Sequence, residues 1–143
     1  MSMKHYIAAR KEGLKQQHAA QARGQDPYLP VLSELVPTLN KLTQVPLGLV
    51  QIALDQIEGT ATKGRTTAFS RGFMPLLEQD SEFASKWSVL YDGIVEDGLR
   101  QPIVALEYYN RFYIVEGNKR VSVMCRLDAV SIEADVTRVL PEP

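Results

Sequence analysis

Apolar residues recur along this chain with different periods, and each period predicts an element. Between Glu82 and Gly98, Phe83, Trp87, Leu90, Tyr91 and Ile94 recur at steps of three and four. That is the stripe of an amphipathic helix. Asp80-Ser81 supplies a cap, Glu82 puts an acid in the first turn, and Gly98 stops the helix. The last third of the chain alternates instead. Pro102 to Leu106 and Arg111 to Val115 read as strands, joined into a hairpin by the turn Tyr108-Tyr109-Asn110. Gly117 breaks the second strand. Asn118 to Leu127 reads as a helix with Val121, Val123, Met124 and Leu127 as its apolar positions. Ser131 to Val139 reads as a closing strand with Ile132, Ala134 and Val136 in alternation.

The first half is less regular. Lys4 to Arg23 is rich in Ala, Lys, Gln and Arg and ends at Gly24, which predicts a helix with a glycine stop. Its apolar face is weak, being Tyr6, Ile7, Leu14 and several alanines. Asp26-Pro27 marks a turn, and a short helix is expected near Val31 to Leu35, between Pro30 and Pro37. This stretch reads as an accessory arm that docks on something. Leu47 to Ile52 is a candidate strand, with a turn expected over Asp55 to Gly59. Thr60 to Ser70 is polar, basic and small, and is expected to be a loop ending in a helical turn near Phe69. Phe73, Met74, Leu76 and Leu77 then offer apolar anchors.

Composition narrows the function classes. The chain has 143 residues, 45% of them hydrophobic, which suits one domain with a sizeable core. A net charge of -1 and a pI near 6.1 argue against a generally basic nucleic-acid binder. Cys125 is the single cysteine, so no internal disulfide and no thiolate-rich zinc site can form. His5 and His18 both lie in the arm, which removes histidine from any site in the remainder and leaves both expected at the solvent. The first residues have no signal-peptide pattern, and no run of about 18 apolar residues exists. A soluble, reduced, cytoplasmic protein is the expectation.

Two segments carry candidate chemistry. The first is Glu116-Gly117-Asn118-Lys119-Arg120, where a strand passes through a glycine into a helix. Backbone amides at a helix start are unpaired and partly positive. Gly117 can let a ligand approach the backbone. Lys119 and Arg120 oppose the helix dipole unless an anion such as phosphate sits in front of them. Glu116 is the carboxylate at the mouth, available to pair with Arg120, anchor a metal through water or act as a base. The bland alternative is a solvated turn whose charges pair with each other. The second segment is Thr62 to Phe69, where Lys63 and Arg65 flank Gly64 among threonine hydroxyls. Gly59 to Thr66 spells G-x-x-x-x-G-R-T, but Arg stands in place of the lysine of a nucleotide-binding P-loop and Pro75 cuts short the helix that should follow. Phe112 and Tyr113 are expected on opposite sheet faces, Trp87 in the core, and Cys125 as a buried inert thiol.

The order of these pieces resembles the ParB/sulfiredoxin superfamily, specifically the N-terminal domain of ParB-type proteins, over about Leu47 to Val139. Leu49-Val50-Gln51-Ile52-Ala53-Leu54-Asp55-Gln56-Ile57 is similar to that domain's opening strand and turn. Arg65 and Phe69 resemble the arginine and aromatic of the next loop. Asp97 to Ile103 and Tyr113 to Val121 are similar to its "Gl.qPi" and "y.iv.G.rR" signatures. A narrower similarity covers nearly the whole chain. Gly64 to Phe69, Phe73 to Trp87 and Asn110 to Val123 resemble a poorly characterised bacterial group of ParB-like domains, some joined to a periplasmic-binding-protein-like domain. The resemblance implies an α+β fold: a compact mixed sheet with flanking helices over residues 45–143, preceded by a helical N-terminal arm over residues 1–44.

It also implies a bound nucleotide at the G-x-x-R turn, CTP or ATP with Mg, which some members hydrolyse and others use to phosphorylate a substrate. Carried over, Gly117, Asn118, Lys119 and Arg120 contact phosphates, Arg65 closes the site with Lys63 beside it, and Glu116 takes an acidic position of the kinase-like members. Asn118 replaces the cysteine that follows the glycine in sulfiredoxins, which argues against sulfinic acid repair. The helix-turn-helix region that follows in ParB proteins has no counterpart before Pro143, which argues against centromere-type DNA binding. Three function classes follow: a nucleotide- or phosphate-binding regulatory module, a phosphoryl-transfer or phosphate-ester-hydrolysing enzyme using Glu116, and a protein-interaction domain that binds no nucleotide. The arm is the expected contact for a second copy or another protein.

Overall fold

The computed structural model describes residues 2–143. Four α-helices, α1 (Lys4–Ala22), α2 (Leu32–Leu35), α3 (Glu82–Asp97) and α4 (Asn118–Arg126), surround one sheet. Its strands are β1 (Gln44–Ala53), β2 (Ile57–Thr60), β3 (Ile103–Tyr108), β4 (Arg111–Glu116) and β5 (Ser131–Val139). The sheet order is β1-β5-β3-β4-β2. β1 runs antiparallel to β5 and β3 antiparallel to β4, whereas β5 with β3 and β2 with β4 are parallel. The fold is therefore α+β with a mixed sheet and flanking helices.

Local chemistry explains the regular elements. Ser81 caps α3, its Oγ accepting from the Ala84 amide at 3.1 Å. Tyr109 and Asn110 both have positive φ, 51° and 62°, the conformation of a two-residue turn whose twist suits a hairpin. β3 and β4 pair through it from Tyr108 opposite Arg111. β5 alternates Ile132, Ala134 and Val136 inward.

One face of the sheet carries the main core. Ile52, Ile103, Ala105, Ile114, Ile132, Ala134 and Val136 pack under Phe83, Trp87 and Ile94 of α3 and Val121 and Val123 of α4. Trp87 is fully buried and its Nε1 donates to Ser122 Oγ at 2.9 Å, which ties α3 to α4. A smaller cluster of Leu32, Leu39, Ala61, Tyr113 and Val139 covers part of the opposite face. Phe112 packs on the main core and Tyr113 on this smaller one, as their alternation requires.

Three local expectations are corrected. Asp55 to Gly59 is more than a turn: one tight helical turn over Leu54–Gln56 leads into β2. β2 forms because β4 offers it a parallel neighbour and Pro30 receives the Thr60 amide at 3.0 Å. His5 is half-buried and stacks on Tyr91 with ring centroids 4.4 Å apart, while His18 is exposed. Ile7 is 45% exposed, and α1 buries Tyr6, Ala9, Gly13 and Ala20 instead.

What the first helix docks on is this chain's own core. Tyr6 packs edge-on to Trp87 at 5.5 Å, and its hydroxyl donates to Leu77 O at 2.6 Å. Burial pushes that phenol up to about 12. Arg10 Nε donates to Leu76 O at 3.0 Å, and Ser70 Oγ donates to Gln16 Oε1 at 2.5 Å. Gly13 faces the Pro75 carbonyl so closely that a Cβ there would stand 2.5 Å from its oxygen. On its other side Glu12 pairs with Arg126 of α4 at 2.6 Å. Small residues let α1 approach the segment 69–78 closely, and that segment continues from the loop that carries Arg65.

Candidate functional site

The start of α4 is built by Gly117, whose φ is +114°. Glu116 precedes it at the end of β4, where the register with β3 shifts between Val104 and Ala105, and it is exposed. Arg120 does not pair with it. The Arg120 Nη1 donates to Gln101 O at 3.0 Å and to Pro102 O at 2.8 Å, which fastens α4 to the segment leading into β3.

Gly117 also has a packing role. A Cβ at this position would lie 2.6 Å from Ile103 Cγ2 and 3.2 Å from Arg120 Nη2. The glycine is required by backbone conformation and by the core beneath it, independent of any ligand. No side chain caps the helix start, and no acid lies in its first turn. Asn118 Oδ1 is buried there with no hydrogen-bond partner.

A cavity of about 770 Å³ opens in front of this turn, between α3, α4 and the Arg65 loop. Phe69 and Phe83, both nearly fully buried, pack edge to face at 5.3 Å within it. Arg65, Lys86, Lys119 and Arg120 line it together with Gly117 and Asn118. Lys119 Nζ lies 5.5 Å from the centroid of the Phe83 ring, within cation–π range. Burial holds the Lys119 amine below its ordinary range, and the charges of Arg65 and Lys86 push it further down. Glu82 opposes this only in part, because it is paired with Lys86 at 2.9 Å. That pair is exposed on both sides and contributes little to stability. The arrangement concentrates positive charge beside apolar surface in a partly desolvated place, which favours an anion with an apolar body.

The structure thus brings together Gly117, Asn118, Lys119, Arg120 and Arg65 from two distant segments. Lys63 is exposed and does not line the cavity, and neither does Glu116. Lys86 was not among the sequence candidates. Its signal was present, since Phe83, Lys86 and Leu90 recur at helical steps and set one cation within the apolar stripe of α3. Cys125 lies outside the cavity, and burial pushes its thiol up to about 11, the opposite of an activated nucleophile.

The lining fits an anion better than a metal. No carboxylate lines the cavity, and no group of three or more His, Cys, Asp or Glu side chains suited to a metal ion occurs among the described residues. Mg²⁺ prefers oxygen ligands, and carboxylates above all, so a magnesium here has no anionic ligand from the chain. No helix among the described residues is long and apolar enough to cross a membrane.

No protein-family model matches the chain, and no curated protein matches it. Among solved structures it is similar to sulfiredoxin from Arabidopsis thaliana, at 23% identity over 62% of this chain and 82% of that chain, with a TM-score of 0.42.

Proposed function

We propose that this chain is a binding module for a phosphate-bearing ligand, a nucleotide being the class that suits the cleft. The observation that carries the reading is the meeting of Arg65, Lys86, Lys119 and Arg120 around one cavity whose lining holds no carboxylate. Lys119 is held below its ordinary pKa by burial and by two other cations, so an arriving anion relieves repulsion as well as making contacts. Unpaired amides at the start of α4 add donors. The cavity, about 770 Å³, has the size of small-molecule sites, and Phe69, Val89 and Leu90 give an apolar wall for a base or sugar.

Binding is favoured over turnover. Glu116, the carboxylate at this turn, does not line the cleft, so no carboxylate stands in it to act as a general base. The test is a thermal-shift screen of the full chain with CTP, ATP, GTP and UTP, each with and without magnesium. Ligand at about 100 times its dissociation constant adds roughly 2.7 kcal/mol. The reading expects a shift with at least one nucleotide and its loss in Lys119→Met and Arg65→Gln. No shift with any nucleotide, or an equal shift in both variants, overturns it. Arg120→Ala is the poorer probe, because Arg120 also holds the backbone at Gln101 and Pro102.

A further inference from the structure

The cleft has three walls: α3, α4 and the loop that carries Arg65. α1 lines none of it, since no residue before Arg65 borders the cavity. Yet α1 touches every wall from outside. On α3, His5 stacks on Tyr91 with ring centroids 4.4 Å apart, and Tyr6 meets Phe83 edge-on at 6.4 Å. On α4, Glu12 pairs with Arg126 at 2.6 Å, at the far end of the helix whose first turn holds Lys119 and Arg120. Behind the loop, Arg10 and Gln16 hold the segment that continues from Arg65.

The contact behind the loop reaches furthest. Phe69 to Glu78 belongs to no strand of the sheet, and it turns back on itself through a bridge between Phe69 and Pro75. Arg10 Nε donates to Leu76 O at 3.0 Å, the Leu76 amide donates to Ala68 O at 2.9 Å, and the Ala68 amide donates to Arg65 O at 3.0 Å. Three hydrogen bonds thus run in series from α1 to the backbone of the cleft arginine. A second strut stands beside them. Gln16 Oε1 accepts from Ser70 Oγ at 2.5 Å, and the same hydroxyl accepts from the Met74 amide at 3.1 Å. Ser70 and Leu76 are both buried, where water does not readily replace a lost partner. Arg10 also pairs with Glu78 at 3.1 Å, but that carboxylate is 74% exposed and the pair contributes little.

We infer that Arg10, with Gln16 beside it, is a positioning residue for the cleft: acting through Leu76 and Ala68, it sets where Arg65 stands relative to Lys119. Charge makes such a support necessary. Arg65, Lys86, Lys119 and Arg120 repel one another, and no carboxylate lines the cavity to hold them together. Among the described residues no ion pair holds the Arg65 side chain. The loop is therefore held in place from outside the cavity, and α1 supplies the hold. Without the Arg10 donor the Leu76 carbonyl loses its partner, the turn at Thr66–Ala68 loosens, and repulsion carries Arg65 away from Lys119. Docking of α1 and the affinity of the cleft are linked in consequence. That link rests on the cleft being the site proposed above, whereas the hold on Arg65 can be read with no ligand present.

Amide hydrogen exchange and NMR titration of the full chain test this, with Arg10→Met set against wild type. The Ala68 and Leu76 amides are expected to exchange about tenfold faster, as loss of one supporting hydrogen bond allows. The reference is the slowest amides of β5, which report global unfolding. The Lys119 amine is expected to titrate nearer 10.5, because Arg65 has moved off. An arginine that only adds stability would leave that titration unmoved. Arg10→Lys keeps a donor for Leu76 O, and Glu78→Gln removes only the exposed pair, so both are expected to match wild type. Should Arg10→Met fold poorly, Gln16→Ala removes the second strut and is expected to move both readouts the same way. With the nucleotide that gives the largest melting shift, Arg10→Met is expected to bind about tenfold more weakly. A Lys119 titration that neither variant moves, equal nucleotide affinity in Arg10→Met and wild type, or the same losses in Glu78→Gln overturns the proposal. If no nucleotide binds wild type while exchange and titration move as stated, the binding reading falls and the positioning role stands.

Discussion

Replacing Gly117 by alanine separates two roles for the glycine at the centre of the site. If it serves the fold, the change is destabilising with or without ligand. If it serves ligand approach, stability is untouched and binding alone suffers. The geometry supports the first. The φ of +114° lies where an L side chain is strained, at about 1–3 kcal/mol. The added Cβ stands 2.6 Å from Ile103 Cγ2, and Ile103 is fully buried, so relief requires the core to shift at about another 1–3 kcal/mol. The two together come to about 2–6 kcal/mol. At roughly 2–4 °C per kcal/mol for a chain near this size, the melting temperature falls by roughly 10 °C. Gly93→Ala is the control: it sits exposed in α3 with nothing within 4 Å of its added Cβ, and should gain up to about 1 kcal/mol. Urea unfolding of both variants reads the difference. Combining Gly117→Ala with Ile103→Ala should cost at least about 1 kcal/mol less than the two changes separately, since the clash partner is gone. A Gly117→Ala cost below about 1 kcal/mol, or strict additivity in the double variant, refutes the packing argument.

Two further changes probe the support of the cleft. Ser122→Ala strands the Trp87 Nε1 donor inside the core and should cost about 1–3 kcal/mol in urea unfolding, and an unaltered midpoint would show that the α3–α4 bond is dispensable. The Lys119 amine should titrate below 10.5 by NMR, move upward in Arg65→Gln, and return to the ordinary range on unfolding. Because the unfolded chain holds this proton more tightly, its contribution to stability rises as pH climbs from the lowered value toward 10.5. Titration at or above 10.5 would remove the crowding of cations from the argument.

Much of the fold was legible because its signals are local. The Phe83, Trp87 and Ile94 spacing with the Ser81 cap marked α3, and the alternation in Ser131–Val139 marked β5. The Tyr109-Asn110 turn marked the hairpin, and the glycine before Asn118 marked the start of α4. β2 was missed because it is four residues long and owes its existence to β4 and Pro30. For α1 the sequence named Tyr6 and several alanines on a weak face that docks on something, and what it left open was the surface they meet. The face α1 buries is Tyr6, Ala9, Gly13 and Ala20, and small residues leave a faint apolar stripe while allowing close approach.

The sequence by itself determined the composition of the site: a glycine turn carrying Asn118, Lys119 and Arg120, and a loop carrying Arg65. These residue types and their short-range order are properties of the chain. Only the tertiary structure decided which of them meet. The turn at Gly117 left Glu116 outside the cleft that Asn118, Lys119 and Arg120 line. The α3 helix brought in Lys86, and the 101–102 backbone engaged Arg120. The sheet order left β1 open and β2 covered. Each of these is a relation between segments distant along the chain. Such relations follow from how faces pack and strands pair, and a local pattern of side chains does not carry them.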